Sequence, residues 1–196
     1  MSLAYSRPCR RGWIHYEAGE DAVTGQSVIY LDFDGVLHSD EVYQDHRGRV
    51  YLQGPGQLFE HAPVLADALV PYPDVRIVLS TSWVRLKGYG WVLKRLPDDL
   101  RSRVIGATWH SMYGKDWDEQ QWWRNASRYR QILRDVQRRQ PTQWFAIDDD
   151  LEGWPEDDRG HVLGCSPLIG LSGDAAQAKL KMKLELWRER SEVAKP

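Results

Sequence analysis

Three short runs in the chain carry the side chains that do metal and phosphoryl chemistry. Asp32 and Asp34 bracket Phe33, Ser80-Thr81-Ser82 line up hydroxyls, and Asp148-Asp149-Asp150 line up carboxylates. Alternate residues of extended backbone point the same way, so Asp32 and Asp34 share a face. Carboxylates gathered at one place repel one another and raise their own pKa values. A divalent cation removes that cost, and all-oxygen ligation with positions left for water and phosphate favours Mg²⁺. Beside such an ion one acid can attack phosphorus while another moves the proton of the leaving oxygen. Ser80 and Thr81 offer hydroxyl and backbone donors to a phosphate. Gly35 permits a tight turn or a close backbone approach to a ligand.

Each run follows a segment that can hold it in place. Residues 27–34 and 75–79 are near-continuous apolar runs, and residues 144–147 (Trp-Phe-Ala-Ile) are a third. Such runs suit strands covered on both faces of a parallel sheet. Residues 104–107 and 161–163 read as further short strands. Between them, helical spacing recurs from Leu58 to Leu69, from Tyr129 to Val136 and from Ala176 to Trp187. Asn125 or Ser127 caps the second of these helices, and Asp174 favours the start of the last. Residues 41–44 and 49–52 flank Asp45-His46-Arg47-Gly48, a hairpin signal. Residues 84–124 hold a broken helical pattern and a loop rich in tryptophan. Strands alternating with helices imply a doubly wound α/β fold with a mainly parallel sheet. Ligands of such sheets bind beyond the carboxyl ends of the strands, where all three polar runs fall.

Bulk properties narrow the function further. The 196 residues suffice for one domain with a real core, and the net charge of −2 lacks the footprint of a general nucleic-acid binder. Cys9 and Cys165 belong to no CxxC pair, which argues against a disulfide scaffold or thiolate zinc site and suits a reducing compartment. No apolar run is long enough to span a membrane and no apolar signal core leads the chain, so the expected location is cytoplasmic. Trp109, Trp117, Trp122 and Trp123 are either packing for the loop or stacking faces for a base, packing being the commoner use. His38, alone after the first acidic run, reads as an exposed loop residue.

Asp32-Phe33-Asp34-Gly35-Val36-Leu37 resembles the first motif, DxDG[TV]L, of the haloacid dehalogenase (HAD) superfamily. The strand-end Ser80-Thr81 and Ile147-Asp148-Asp149-Asp150 resemble its second and fourth motifs, in order. The resemblance implies a HAD-like Rossmannoid domain over residues 28–196 after an extension at 1–27. It also implies a Mg²⁺-dependent phosphatase working through an aspartyl-phosphate. Asp32 is then the nucleophile and a metal ligand, while Asp34 is the general acid and base with its backbone carbonyl on the metal. Asp148 and Asp149 complete the metal site, Asp150 being only a turn residue. Thr81 is favoured over Ser80 as the second-motif hydroxyl, and Ser80, Ser82, Gly35 and Arg85 fall on the substrate side.

The chain departs from the family at the third motif, where a lysine is usual. Arg128, at the start of the helix before Asp148, is the candidate cation, with Lys115 and Lys87 as competitors. The intervals from Asp34 to Ser80 and from Thr81 to Arg128 are too short for a large cap, and the 41–52 hairpin resembles the family's flap. An open site suits a bulky phosphorylated substrate or calls for a partner domain to close it. DFDGVLH, LSTSW and AIDDD with Gly170-Leu171-Ser172 are similar to HAD domains associated with RNA repair and to polynucleotide phosphatases. That similarity implies phosphorylated nucleic-acid ends or nucleotides as substrates. A phosphoprotein, a small phosphometabolite, or a binding module without turnover are the alternatives.

Overall fold

The computed structural model describes residues 26–193. In chain order the strands are β1 (Ser27–Leu31), β2 (Val42–Gln44), β3 (Val50–Leu52), β4 (Arg76–Leu79), β5 (Val104–Ala107), β6 (Gln143–Asp148) and β7 (Val162–Gly164). The helices are α1 (Ala62–Leu69), α2 (Ser82–Lys87), α3 (Tyr89–Leu93), α4 (Asp98–Arg101), α5 (Trp117–Asn125), α6 (Arg128–Arg139) and α7 (Asp174–Val193). Five strands pair in parallel in the order β5-β4-β1-β6-β7, while β2 and β3 form a separate antiparallel hairpin. The chain winds outward from β1 through β4 to β5, then returns to β6 and β7 on the other side. The winding therefore reverses at β1, where an open α/β sheet places its ligand crevice.

The apolar runs form central strands because both of their faces are covered. Ile29, Leu31, Ile77, Leu79, Phe145 and Ile147 pack on one side with α1, α7 and the α2–α4 segment. Val28, Tyr30, Val78 and Ala146 pack on the other side with Ile132 of α6 and Trp154. Tyr30 is fully buried there and satisfies its hydroxyl by donating to Asp135 at 3.1 Å. Asp135 also receives Arg139 Nε at 2.7 Å, so the polar groups under α6 are mutually paired. At β5, Ile77 pairs with Val104 and Val78 with Gly106, leaving Ile105 as one extra residue.

Most of the elements read from the sequence are present, with shifted ends. The 27–34 run is strand only to Leu31, after which Asp32–Leu37 turns back over the sheet end. The 58–69 pattern becomes helical at Ala62, with a proline in its first turn. Ser127, not Asn125, caps α6 by accepting from the Arg130 amide. The tryptophan-rich loop proves to contain a helix, α5, whose N-cap Asp116 accepts from Glu119 N at 2.8 Å. Residues 1–25 of the expected extension lie outside the described residues, and Ser27 is the first residue of β1. Among the described residues no helix is long and apolar enough to cross a membrane.

Ser127 fixes the start of the helix that carries Arg128. Ser127→Ala should cost about 1 kcal/mol of stability, read as a lowered urea midpoint with unchanged slope.

Candidate active site

Sheet register alone brings the acidic runs together. The Asp32 amide donates to Ile147 O at 3.1 Å and the Ser80 amide to Leu31 O at 2.8 Å, continuing the pairing past the strand ends. Asp32 and Asp148 thus stand side by side, and with Asp149 they bring carboxylate oxygens within 4.8 Å of one another. Gly35 has φ +66 and a Cβ there would overlap the Asp149 carboxyl. The glycine after the first motif is therefore needed for the close approach of Asp149, not only for a turn. Asp148 Oδ1 accepts from the Asp150 amide at 3.0 Å, whereas its buried Oδ2 has no hydrogen-bond partner. A buried carboxylate oxygen without a hydrogen bond, set among two other carboxylates and balanced only by an ion pair to Arg128, fits a hard divalent cation. Asp150 is exposed and accepts from the Glu152 amide, the turn role expected of it.

Arg128 reaches this cluster from the first turn of α6. Its terminal nitrogen lies 2.8 Å from Asp32 Oδ2 and its Nε 3.2 Å from Asp148 Oδ2. The second contact is an ion pair without hydrogen-bond geometry, so Arg128 Nε also lacks a partner. Burial opposes its charge, but Asp32, Asp148, Asp150 and Asp149 outweigh that and hold the guanidinium above its ordinary pKa. Burial pushes the Asp32 carboxyl up against the pull of Arg128, the Phe33 amide and the Thr81 hydroxyl. Burial and then Asp32 push Asp148 well above the carboxylate range. Asp149 rises to about 6, by burial first and Asp32 second. Lys87 and Lys115 are elsewhere: Lys87 Nζ donates to Gly48 O at 2.9 Å, tying α2 to the hairpin, and Lys115 is exposed.

Thr81 hydrogen-bonds Asp32, caps α2 through the Trp83 amide, and lines a cavity of about 370 Å³ with Ser82, Arg85 and Arg128. Ser80 is fully buried, its hydroxyl has no hydrogen-bond partner, and it is not among the residues that line that cavity. The Asp34 carboxylate is not part of the cluster of Asp32, Asp148 and Asp149, yet its charge is near enough to raise the Asp32 pKa. It accepts from Trp83 Nε1 at 2.8 and 3.0 Å and faces His38 Nε2 at 3.2 Å. The Phe59 amide donates to His38 Nδ1 at 3.3 Å, so Nε2 carries the ring proton and donates to Asp34. His38 is fully buried, against the expectation of an exposed loop residue. Phe33, His38, Phe59 and Trp83 pack edge to face or tilted around this pair, at centroid distances of 5.1 to 5.8 Å.

The tryptophans differ in burial. Trp123 is buried and stacks on Tyr113 at 5.3 Å, with Trp122 edge-on at 5.1 Å, while Trp117 is exposed. Trp109 is half-buried and lines the cavity beside Arg85. Cys165 is buried and its thiol is pushed up to about 12 by burial, far from nucleophilic, and Cys9 lies outside the described residues.

A family model described as the HAD domain in Swiss Army Knife RNA repair proteins matches residues 28–176. No curated protein and no solved structure matches the chain.

Two outcomes test this geometry. Gly35→Ala forces a left-handed alanine into the space of Asp149, so it should cost about 1–2 kcal/mol and weaken divalent-cation binding by calorimetry. The raised Asp149 pKa means that the cation-free folded chain holds a proton that the unfolded chain releases. Stability without the cation should therefore fall as pH rises from about 4 through 6, while cation affinity rises over the same interval. Denaturation and calorimetric titrations at stepped pH read both trends.

Proposed function

The chain belongs to the family of HAD domains found in Swiss Army Knife RNA repair proteins, and from that membership we propose that it is a Mg²⁺-dependent phosphohydrolase acting on phosphorylated nucleic-acid ends or nucleotides. One observation carries the reading. Asp32, Asp148 and Asp149 converge within 4.8 Å at the sheet's ligand edge, with Arg128 paired to the first two.

Asp148, Asp149, Asp32 and the Asp34 backbone carbonyl are the groups that would hold the ion. When bound, the ion supplies positive charge for a phosphoryl oxygen and lets the acids ionise together. An Asp32 oxygen attacks phosphorus, and the bond from phosphorus to the leaving oxygen breaks. Asp34 gives that oxygen a proton. In the second half Asp34 takes a proton from water, whose oxygen attacks phosphorus and releases inorganic phosphate, restoring Asp32. Arg128 and Thr81 steady the phosphoryl oxygens, and the N-terminus of α6 adds its positive end to the same place. The neutral donors Trp83 and His38 hold Asp34 in one orientation and are its positioning residues. No large inserted domain covers this edge among the described residues, so a partner domain that closes it would exclude water.

A second reading has one observation in its favour. Arg128 stands where the family's lysine is usual and bridges Asp32 and Asp148 directly, as a phosphate-binding module without turnover would allow. Phosphate release from p-nitrophenyl phosphate, with and without Mg²⁺, separates the two. The enzyme reading expects Mg²⁺-dependent release that Asp32→Asn abolishes while cooperative unfolding is kept. Absence of release from this ester and from phosphorylated oligonucleotides, nucleotides, sugars and peptides would sink it. Within the active enzyme, Trp83→Phe removes one donor to Asp34 and keeps the aromatic packing. It should lower kcat by about ten- to a hundredfold with little change in KM.

A further inference from the structure

A second cavity, of about 690 Å³, adjoins the first and shares Arg85 and Trp109 with it as a common wall. It lies between α2, the start of α3, β5 and the short 3₁₀ turn Ser111–Gly114. Its size is within the range of about 300–1,000 Å³ typical of ligand sites. Its chemistry is one-sided. Arg85, Arg138 and Arg139 line it beside Tyr89, Trp109 and Met112, and no aspartate or glutamate does, although the chain carries 28 acids.

Arg139 is there because of Gly106. The guanidinium of Arg139 lies where a side chain on Gly106 would begin, so the missing Cβ lets the cation cross β5 to the cavity wall. Arg139 is buried, and both it and Arg138 pair with Asp135, at 2.7 and 2.6 Å, which holds the two groups rigidly and offsets part of their charge, leaving Arg85 outside that pairing. Tyr89, 37% exposed, stands close enough to feel the charge of Arg139. Fixed cations, aromatic faces and an absence of carboxylates match one ligand chemistry: planar rings joined by anionic linkages.

Resting on the phosphohydrolase reading, we propose that this second cavity is a nucleotide subsite. It takes the next nucleotide of a single-stranded chain whose terminal phosphate lies at Asp32. The base stacks on Tyr89 or Trp109, and the bridging phosphodiester faces Arg85 and Arg139. The first cavity holds Asp150 and Glu152 as well as its arginines, and so discriminates less between anionic and neutral groups than the second.

Binding tests the subsite without depending on turnover. In an Asp32→Asn background, 3′- and 5′-phosphorylated trinucleotides and the matching mononucleotides are titrated by calorimetry. At least one trinucleotide should bind about tenfold or more tighter than its mononucleotide, with the gain shrinking as salt rises. Met112→Glu and, separately, Tyr89→Ala should reduce that gain to about threefold or less; both positions are exposed, so folding is kept. An equal affinity for trinucleotide and mononucleotide, a gain that survives both substitutions, or an equally tight phosphopeptide of similar length would overturn the subsite. Hydrolysis of p-nitrophenyl phosphate without the length gain removes the subsite alone. A length gain in a chain that turns over no phosphoester removes the hydrolase reading alone.

Discussion

Carboxylates that meet at the end of a parallel sheet must be reconciled with one another before anything else in this domain can work. At a separation of about 5 Å and an effective dielectric constant of about 20, each like-charged pair costs about 3 kcal/mol. Asp32, Asp148 and Asp149 form such a set. Arg128 offsets part of the cost, yet Asp32 and Asp148 still titrate above their ordinary values because burial exceeds what one guanidinium returns. The remaining repulsion leaves a cluster able to take a further cation. Much of the surrounding architecture serves to keep the acids together. Pairing past the ends of β1 and β4 fixes Asp32, the missing side chain of Gly35 admits Asp149, and the Ser127 cap sets Arg128.

Two acids two residues apart are thereby given different surroundings. Asp32 sits under α6 in contact with a guanidinium and a hydroxyl, whereas the Asp34 carboxylate turns to an indole and an imidazole. The difference arises from the backbone, which leaves the strand after Leu31 and no longer keeps the two side chains on one face. The separation is built from distant parts of the chain: Trp83 follows the second motif, and Phe59 fixes the ring of His38 from the segment before α1.

The central sheet was legible because buried parallel strands write themselves as unbroken apolar runs, and the acidic ends were legible because they interrupt those runs. Arg128 could be reached from its place at a helix start, though its pairing with two carboxylates could not. Helix α5 escaped because Trp122 and Trp123 are adjacent and give no stripe of helical period. The signal that could have found it was Asp116 followed three positions later by Glu119, the spacing of a helix start. Ser80 and Thr81 differ only in which side of the chain they present, and register, unlike composition, decides that. The burial of His38 left no local trace, since what encloses it comes from Phe59 and Trp83.

Among the described residues strand β5 has a neighbour on one side only, and the extra residue at Ile105 and the guanidinium of Arg139 over Gly106 both fall on it. A rim strand with unmet amides and carbonyls is a template on which another chain can add a strand. Here it is four residues long, bent by the extra residue, and crossed by a fixed positive charge. Each of these spoils the flat, regular ladder that intermolecular strand addition requires, and β7 at the opposite rim is only three residues long. The arrangement that carries a cation to the second cavity thus also disfavours the addition of another strand at this rim.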